Sequence, residues 1–389
     1  MQKFILYNPT TIIFGADATD QVGDEAAKLG EKCLLVYGEK SIKKNKLYDR
    51  IKTALVKSDL ETIDHGGVKS NPVLQHVREG IVKAKEHRID MVLAAGGGSV
   101  IDSAKAIAAG TLVEHDVWKF FTGKKSIKKK LPLCCLLTLA AAGSEMNGGM
   151  VITNEERKHK FGVGNRVLHP EVSILDPKLT YTVPPDYTAY GAVDAIAHIL
   201  EFYFTTPDPD TPVQDRFMEG LVINIMESCE KVLQNPEDYQ GRADFMWCAT
   251  LALNGWAAAG LGPVSMPMHM IEHSLSAIYN VPHGAGLSVV MPGWMAYQAK
   301  INNRKFAQFG ERVFGLTGNL ENKTFRGIEA LEEYFVKINS PTHLNQLSIP
   351  AQDIPDIAEN AISLAKLWGL KSYDQQTVEK ILSSRLQEN

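Results

Sequence analysis

The segment MHMIEHSLSAIYNVPHG, residues 268–284, carries His269, His273 and His283 in a mostly apolar stretch, out of eleven histidines in the whole chain. A second apolar stretch, YGAVDAIAHILEFY, carries Asp194 and His198. Residues four apart on a helix project from one face, so Asp194 and His198 can share one ion. His269 and His273 repeat that spacing, and His283 follows in a Pro-containing loop that begins the next helix. Three imidazoles with one carboxylate suit Zn²⁺ or Fe²⁺ and are poor for Mg²⁺ or Ca²⁺, which want oxygen. A single histidine in an apolar helix is more often a satisfied core residue than a ligand. Five ionisable groups in such helices would each need a buried partner, which favours shared chemistry. By spacing alone, His269 and His273 read as a ligand pair, as in H-E-x-x-H helices.

A different chemistry is written in AAGGGSVIDSAK, where Gly96, Gly97, Gly98 and Ser99 stand between a buried strand and a helix. Without Cβ atoms the backbone can approach a phosphate, and the helix N-terminus offers unpaired N–H groups and partial positive charge. The dinucleotide pattern G-x-G-x-x-G is incomplete, because Ile101 takes the last glycine position, and the segment is not a P-loop. Three glycines after a strand can equally be a plain tight turn. In VYGEKSIKK, Gly38 ends a strand and Glu39, Lys40 and Ser41 follow. A small residue beside lysines tolerates a ribose 2′-phosphate. Glu39 could instead take the acidic, ribose-binding role, and an ordinary turn is the plain alternative.

Positioning these groups requires two kinds of architecture. The first 180 residues alternate short β-rich runs with helical stretches. KCLLVYG, DMVLAAGGGS, LPLCCLLTL and VSILDP read as buried strands, and KFILYN with TTIIFG as a strand pair about a Pro-Thr turn. NKLYDRIKTALVKS has helical period, and NPVLQHVREGIVKAKEH opens on an Asn cap with Pro at the first helical position. Such alternation means a mostly parallel sheet covered by helices. From about Tyr181 strand signals nearly vanish, and helices are expected over 185–205, 211–234, 240–260, 267–279, 284–302, 324–338 and 353–367. The expected plan is an α/β domain over 1–180 and an all-helical domain over 181–389, in keeping with a length of 389 residues.

Composition narrows the partners. A net charge of −4 does not suit nonspecific nucleic-acid binding, and the basic run GKKSIKKK reads as a solvated loop. No apolar run reaches the length of a membrane helix, and the N-terminus does not read as a signal peptide. The cysteines, Cys33, Cys134, Cys135, Cys229 and Cys248, are odd in number and scattered, which favours reduced thiols and a cytoplasmic setting.

Taken together, NPTTIIFG, GGGSVID, LTLAAAGSEMN, LDPKLTYTVPP, DAIAHILEFY, QDRFMEG, ALNG and SPTHL resemble the iron-containing (group III) alcohol dehydrogenase family. Within it the chain looks most like the NADPH-dependent butanol dehydrogenase and aldehyde reductase branch. The resemblance implies the dehydroquinate synthase-like fold: an α/β dinucleotide-binding domain, an all-α domain, and a divalent metal (Fe²⁺ or Zn²⁺) meeting the nicotinamide of NADP(H) between them. By motif position it implies Asp194, His198, His269 and His283 as metal ligands. It moves His273 from the ligand set to the nicotinamide and substrate, overruling the spacing argument. Gly97, Gly98, Ser99 and Asp102 fall in its nucleotide loop, and Asp102 is expected, with His273, to be catalytic. Thr138 and Asn147 flank a cofactor-lining segment, Lys160 reaches toward the cofactor ribose, and Asn71 begins an element at the adenosine end. Gly38 and Ser41 match the loop that holds a 2′-phosphate. A small alcohol or aldehyde as substrate and a homodimer are further implications. Two departures stand out: LTLAAAGSE replaces the family's PTTAGTGSE, so Ala141 and Ala142 remove a hydroxyl and a turn-former, and Leu179 stands where some relatives have Tyr. The competing readings are a polyol dehydrogenase, a catalytically silent nucleotide-binding protein, and a lyase of the superfamily, which would need basic side chains the Asp194 and His269 segments do not offer.

Overall fold

The computed structural model describes residues 1–208 and 210–387. The chain divides into two compact units. One comprises residues 7–183 with 236–250. The other comprises 1–6, 184–235 and 251–389. The division is therefore not the single cut after residue 180 expected from the sequence, since two short segments cross over.

The first unit is built on eight strands: β1 (Thr11–Phe14), β2 (Lys32–Gly38), β3 (Glu61–Val68), β4 (Met91–Gly96), β5 (Leu133–Leu137), β6 (Gly149–Asn154), β7 (His159–Gly164) and β8 (Val172–Leu175). Six form one sheet in the order β1-β8-β5-β4-β2-β3, with every neighbouring pair parallel. β4 and β5 are buried at every position, which is why Met91–Gly96 and Leu133–Leu137 are unbroken apolar runs: helices cover both faces. β3 lies at the sheet edge and tolerates Glu61, Thr62 and Asp64. After β2 the chain steps outward to β3 and returns on the other side of β2 as β4. That reversal makes the C-terminal ends of β2 and β4 the switch point at which open α/β sheets bind ligands. The loops beginning at Gly38 and Gly96 sit there. β6 and β7 form a separate antiparallel hairpin.

The second unit is helical. Its principal helices span Pro185–Thr205, Pro212–Gln234, Pro267–Tyr279, His283–Ala299, Arg304–Phe314, Leu320–Lys337, Ile354–Trp368 and Gln375–Ser383. Three open on a proline, a residue that loses nothing in the first turn because its missing N–H has no intrahelical partner there. The Pro185–Thr205 helix is buried almost all round from Thr188 to Phe204, as expected of a helix without a polar face. Among the described residues no helix is long and apolar enough to cross a membrane.

Several expectations need correction. KFILYN forms no strand, and Phe4, Ile5, Leu6 and Tyr7 are exposed. β1 pairs instead with β8, far along the chain, a long-range choice that local periodicity cannot register. The helix expected over 240–260 ends at Ala252. β3, the β6–β7 hairpin and the Arg304–Phe314 and Gln375–Ser383 helices were not anticipated. All five cysteines are free, and four are buried.

Candidate metal centre and nucleotide loop

Three helices of the second unit bring the imidazoles together. Asp194 and His198 lie one turn apart on Pro185–Thr205, His269 lies in the first turn of Pro267–Tyr279, and His283 starts His283–Ala299. Around Asp194 Oδ1 stand His198 Nδ1 at 3.4 Å, His269 Nε2 at 3.6 Å and His283 Nε2 at 3.6 Å. Asp194 Oδ1, His198 Nδ1 and His269 Nε2 are buried without a hydrogen-bond partner. Converging lone pairs without donors are an arrangement that a cation satisfies.

Two further carboxylates stand behind the cluster. Glu201 Oε1 accepts from His269 Nδ1 at 3.1 Å and from the His269 backbone N–H at 2.9 Å. Glu272 Oε2 accepts from His283 Nδ1, and its Oε1 accepts from the Ser276 hydroxyl. Neither was singled out from the sequence. The available signal was an acid within each apolar ligand-bearing stretch, seven residues after Asp194 and three after His269; both prove fully buried.

The electrostatics follow from this crowding. Burial opposes ionisation of Asp194, but His198, His269 and His283 outweigh it and hold the carboxyl well below the usual range. Burial pushes His198 down to about 3. Burial also works against a charge on His269, but the Asp194 and Glu201 carboxylates overcome it and lift the group to about 9. His273 is buried beside the cluster, its ring 5.5 Å from that of His283, 6.3 Å from His269 and 5.6 Å from Trp368. His269 stacks more closely on His198, at 4.5 Å. The H-x-x-x-H pair thus meets edge to face, and the closer stacking partner of His269 comes from another helix.

In the first unit, Gly97 caps the Gly98–Thr111 helix that follows β4. Gly96 must lack a side chain, since a Cβ there would fall 2.4 Å from Val100 Cγ2. Ser99 donates its hydroxyl to the Ser70 carbonyl, tying this loop to the one after β3. Asp102 accepts from Ser144 Oγ at 2.6 Å and from the Val151 N–H at 2.8 Å, so its carboxylate fastens the 144–151 segment. Asn147 is buried there; its amide donates to Gly143 O at 2.9 Å, and its Oδ1 accepts from the Gly149 N–H at 2.7 Å. Thr138 is half-buried at the end of β5, its N–H bonded to Gly96 O at 3.1 Å. Lys160 and Asn71, 89 residues apart, meet at 3.1 Å, both buried. Gly38 ends β2, and a Cβ there would meet only Val68 O, at an ordinary contact distance of 3.8 Å. Ser41 begins a short helix, Ser41–Lys44, that carries Lys43 and Lys44.

Sequence reasoning also missed Lys105. It is fully buried on Gly98–Thr111, and its ammonium donates to Ser144 O at 2.7 Å, Ser144 Oγ at 2.9 Å, Asn147 O at 2.9 Å, Asn147 Oδ1 at 3.2 Å and Gly149 O at 2.8 Å. Burial pushes it down to about 8, which leaves it charged at neutral pH. A lysine inside an otherwise apolar helical run was the signal.

Comparison with known proteins places the chain in a family. The family model for iron-containing alcohol dehydrogenase matches residues 9–177, and that for the C-terminal part of the Fe-containing alcohol dehydrogenase family matches 188–386. The chain is 38% identical to a probable NADH-dependent butanol dehydrogenase of Bacillus subtilis, over 99% of this chain and 100% of the relative. It is 35% identical to the NADPH-dependent aldehyde reductase YqhD of Escherichia coli, over 91% and 92% of the two chains. The crystal structure of NADH-dependent butanol dehydrogenase A from Thermotoga maritima superposes with a TM-score of 0.95 at 42% identity, covering 100% of this chain and 99% of that one. The relatives thus divide over which nicotinamide they use, but not over the fold or the class of reaction. This chain belongs to the iron-containing alcohol dehydrogenase family.

Proposed function

We propose that the chain is a metal-dependent alcohol dehydrogenase working mainly as an aldehyde reductase. It would pass hydride between NADP(H) and small primary alcohols or aldehydes of the butanol/butanal type, and act as a cytoplasmic homodimer. The observation that carries the metal is the convergence of His198, His269 and His283 nitrogens at 3.4–3.6 Å from Asp194 Oδ1. Two ligands about 2.1 Å from one ion and tetrahedrally disposed stand about 3.4 Å apart, so the donor set fits Zn²⁺ or Fe²⁺. Imidazole serves either ion, and Zn²⁺ generally binds the tighter.

When bound, the ion supplies Lewis acidity to a carbonyl and the nicotinamide supplies the hydride. The remaining work is done by the chain. Asp194, His198, His269 and His283 would hold the ion and leave a position for the substrate oxygen. His273 holds the proton that the reduced product takes up, a task suited to an imidazole. The Gly97–Gly98 turn and the N–H groups of the helix it opens receive the cofactor's phosphates. Asp102, Thr138 and Asn147 fix the walls of that loop, and the Lys160–Asn71 pair faces the ribose. The space at Gly38, with Ser41 and neighbouring lysines, supports a 2′-phosphate and so NADP(H).

The test is a butanal assay on chain loaded with Fe²⁺ or Zn²⁺, with NADPH against NADH and with or without chelator. The expected result is chelator-sensitive turnover that is faster with NADPH. Equal or faster turnover with NADH would overturn the reading of Gly38. A loaded metal without turnover of several aldehydes would favour a silent nucleotide-binding protein.

A further inference from the structure

We propose that Glu201 and Glu272 are positioning residues which lock His269 and His283 in the tautomer that faces the metal, and so set how tightly the ion is held. The proposal rests on the metal reading above. Both carboxylates are wholly buried. A buried carboxylate is costly unless it is paired or hydrogen-bonded, and each is bonded to the Nδ1 of a different candidate ligand. An imidazole whose Nδ1–H donates to a carboxylate presents Nε2 as a bare lone pair, with its ring orientation fixed and its basicity raised. Both Nε2 atoms stand 3.6 Å from Asp194 Oδ1.

The pairings run crosswise between helices. Glu201 shares Pro185–Thr205 with Asp194 and His198, yet it orients His269 on Pro267–Tyr279. Glu272 shares that second helix with His269, yet it orients His283 on His283–Ala299. Each helix therefore fixes the ligand of the next, and three helices are brought into register at one point. The backbone makes room for this. A Cβ at Gly286 would lie 2.7 Å from Glu272 Cγ and Oε1, so a glycine one turn after His283 is what lets the Glu272 carboxylate stand where it does.

Asp194, His198 and His269 form one group whose donor atoms come within 4.8 Å of one another, and Glu272 lies with His273 and His283 in a second such group. A direct ligand role for Glu272 is thus the rival reading, and metal binding separates the two. The full-length chain and its Glu201→Gln, Glu272→Gln and Gly286→Ala variants would be stripped, loaded with Zn²⁺ or Co²⁺, and measured for ion content, affinity against a competing chelator and the Co²⁺ visible spectrum. Apo-protein melting serves as the fold control. The expected result is one ion per chain at saturation in every variant, with affinity about 10–100-fold weaker and a Co²⁺ spectrum that keeps its intensity. Gly286→Ala, which leaves Glu272 in place but displaces it, should reproduce Glu272→Gln. Affinity within about twofold of the parent in both glutamine variants would overturn the proposal. So would a Glu272→Gln protein that melts normally but takes up no ion at saturation, since that marks a ligand. A parent chain that binds no ion would sink the metal reading itself and this inference with it.

Discussion

Each unit buries a cage of lone pairs, and the two cages differ in what they are made of. In the sheet unit the cage is all oxygen, drawn from Ser144, Asn147 and Gly149, and it closes on the ammonium of Lys105. In the helical unit the cage is three imidazole nitrogens about one carboxylate oxygen, set on three helices and backed by Glu201 and Glu272. Oxygen acceptors from a loop suit a compact ammonium, which donates three hydrogen bonds and cannot leave the chain. Nitrogen donors on rigid helices suit a transition-metal ion, which needs lone pairs in fixed directions. The first cage fastens the 144–149 segment to the Gly98–Thr111 helix, and the second is the candidate metal seat. The donor types, more than the burial, distinguish the structural cage from the candidate metal centre.

The sharpest way to break this comparison is to remove one member of each cage. Asp194→Ala should cost the ion, with butanal turnover falling by more than about 100-fold, the scale on which even outer-shell changes act. Cofactor binding, read by quenching of protein fluorescence, should change little. Elemental analysis showing full metal in this variant would remove Asp194 from the ligand set. Lys105→Met should act on stability instead. It leaves several buried oxygens without a donor, and by analogy with broken buried ion pairs the unfolding free energy should drop by about 3–5 kcal/mol. The metal content of the chain that remains folded should be unchanged. A Lys105→Met protein that melts like the parent but has lost its metal would mean that the two cages are not independent.

Legibility in the sequence tracks the same distinction. Asp194 and His198 could be read because helical spacing converts directly into a shared face, and the helices expected around them and around His269, 185–205 and 267–279, have the bounds seen in the structure. The stacking of His269 on His198 does not follow from spacing, because it joins residues 71 apart through tertiary packing; only the family resemblance set the two side by side as ligands. The same limit hid the pairing of Glu201 with His269, which is fixed only once the helices pack. It also hid the union of Lys160 with Asn71. In the sheet unit, β4 and β5 announced themselves as apolar runs. β3 did not, since an edge strand need not be apolar, and KFILYN misled because β alternation says nothing of whether a partner strand exists.

Histidine proximity alone does not make a metal site, and pH exposes the difference. The His65 and His76 rings in the sheet unit lie 4.0 Å apart, closer than those of His198 and His269, but their Nε2 atoms bond to the backbone carbonyls of His76 and Gly66. Burial pushes His65 down to about 4, so the native state keeps it neutral while the unfolded chain takes up a proton near pH 6.5. Between those values the unfolded state binds more protons. The stability is therefore fully present above pH 6.5 and is lost as the pH falls toward 4, by roughly 2 kcal/mol at pH 5. Urea midpoints measured at several pH values should fall less steeply for His65→Gln than for the parent. Parallel slopes would show that another group carries the acid limb.

The smallest expected effect concerns the nicotinamide, over which the relatives themselves divide. Gly38 has room for a side chain, so Gly38→Asp should fold without strain. An aspartate at the end of β2 would accept hydrogen bonds from ribose hydroxyls and repel a 2′-phosphate. The ratio of kcat/KM for NADPH over NADH should fall by about tenfold, which is about 1.4 kcal/mol. The change should lie in KM, because Gly38 ends β2 and supplies none of the imidazole or carboxylate donors, and the hydride step should be unaltered. Metal content should be that of the parent, since no member of the imidazole cage has moved. If kcat fell for both cofactors alike, Gly38 would be shaping the loop rather than reading the phosphate. If the ratio did not move, selectivity would have to come from residues other than Gly38, with Lys40, Ser41 and Lys43 the next to vary.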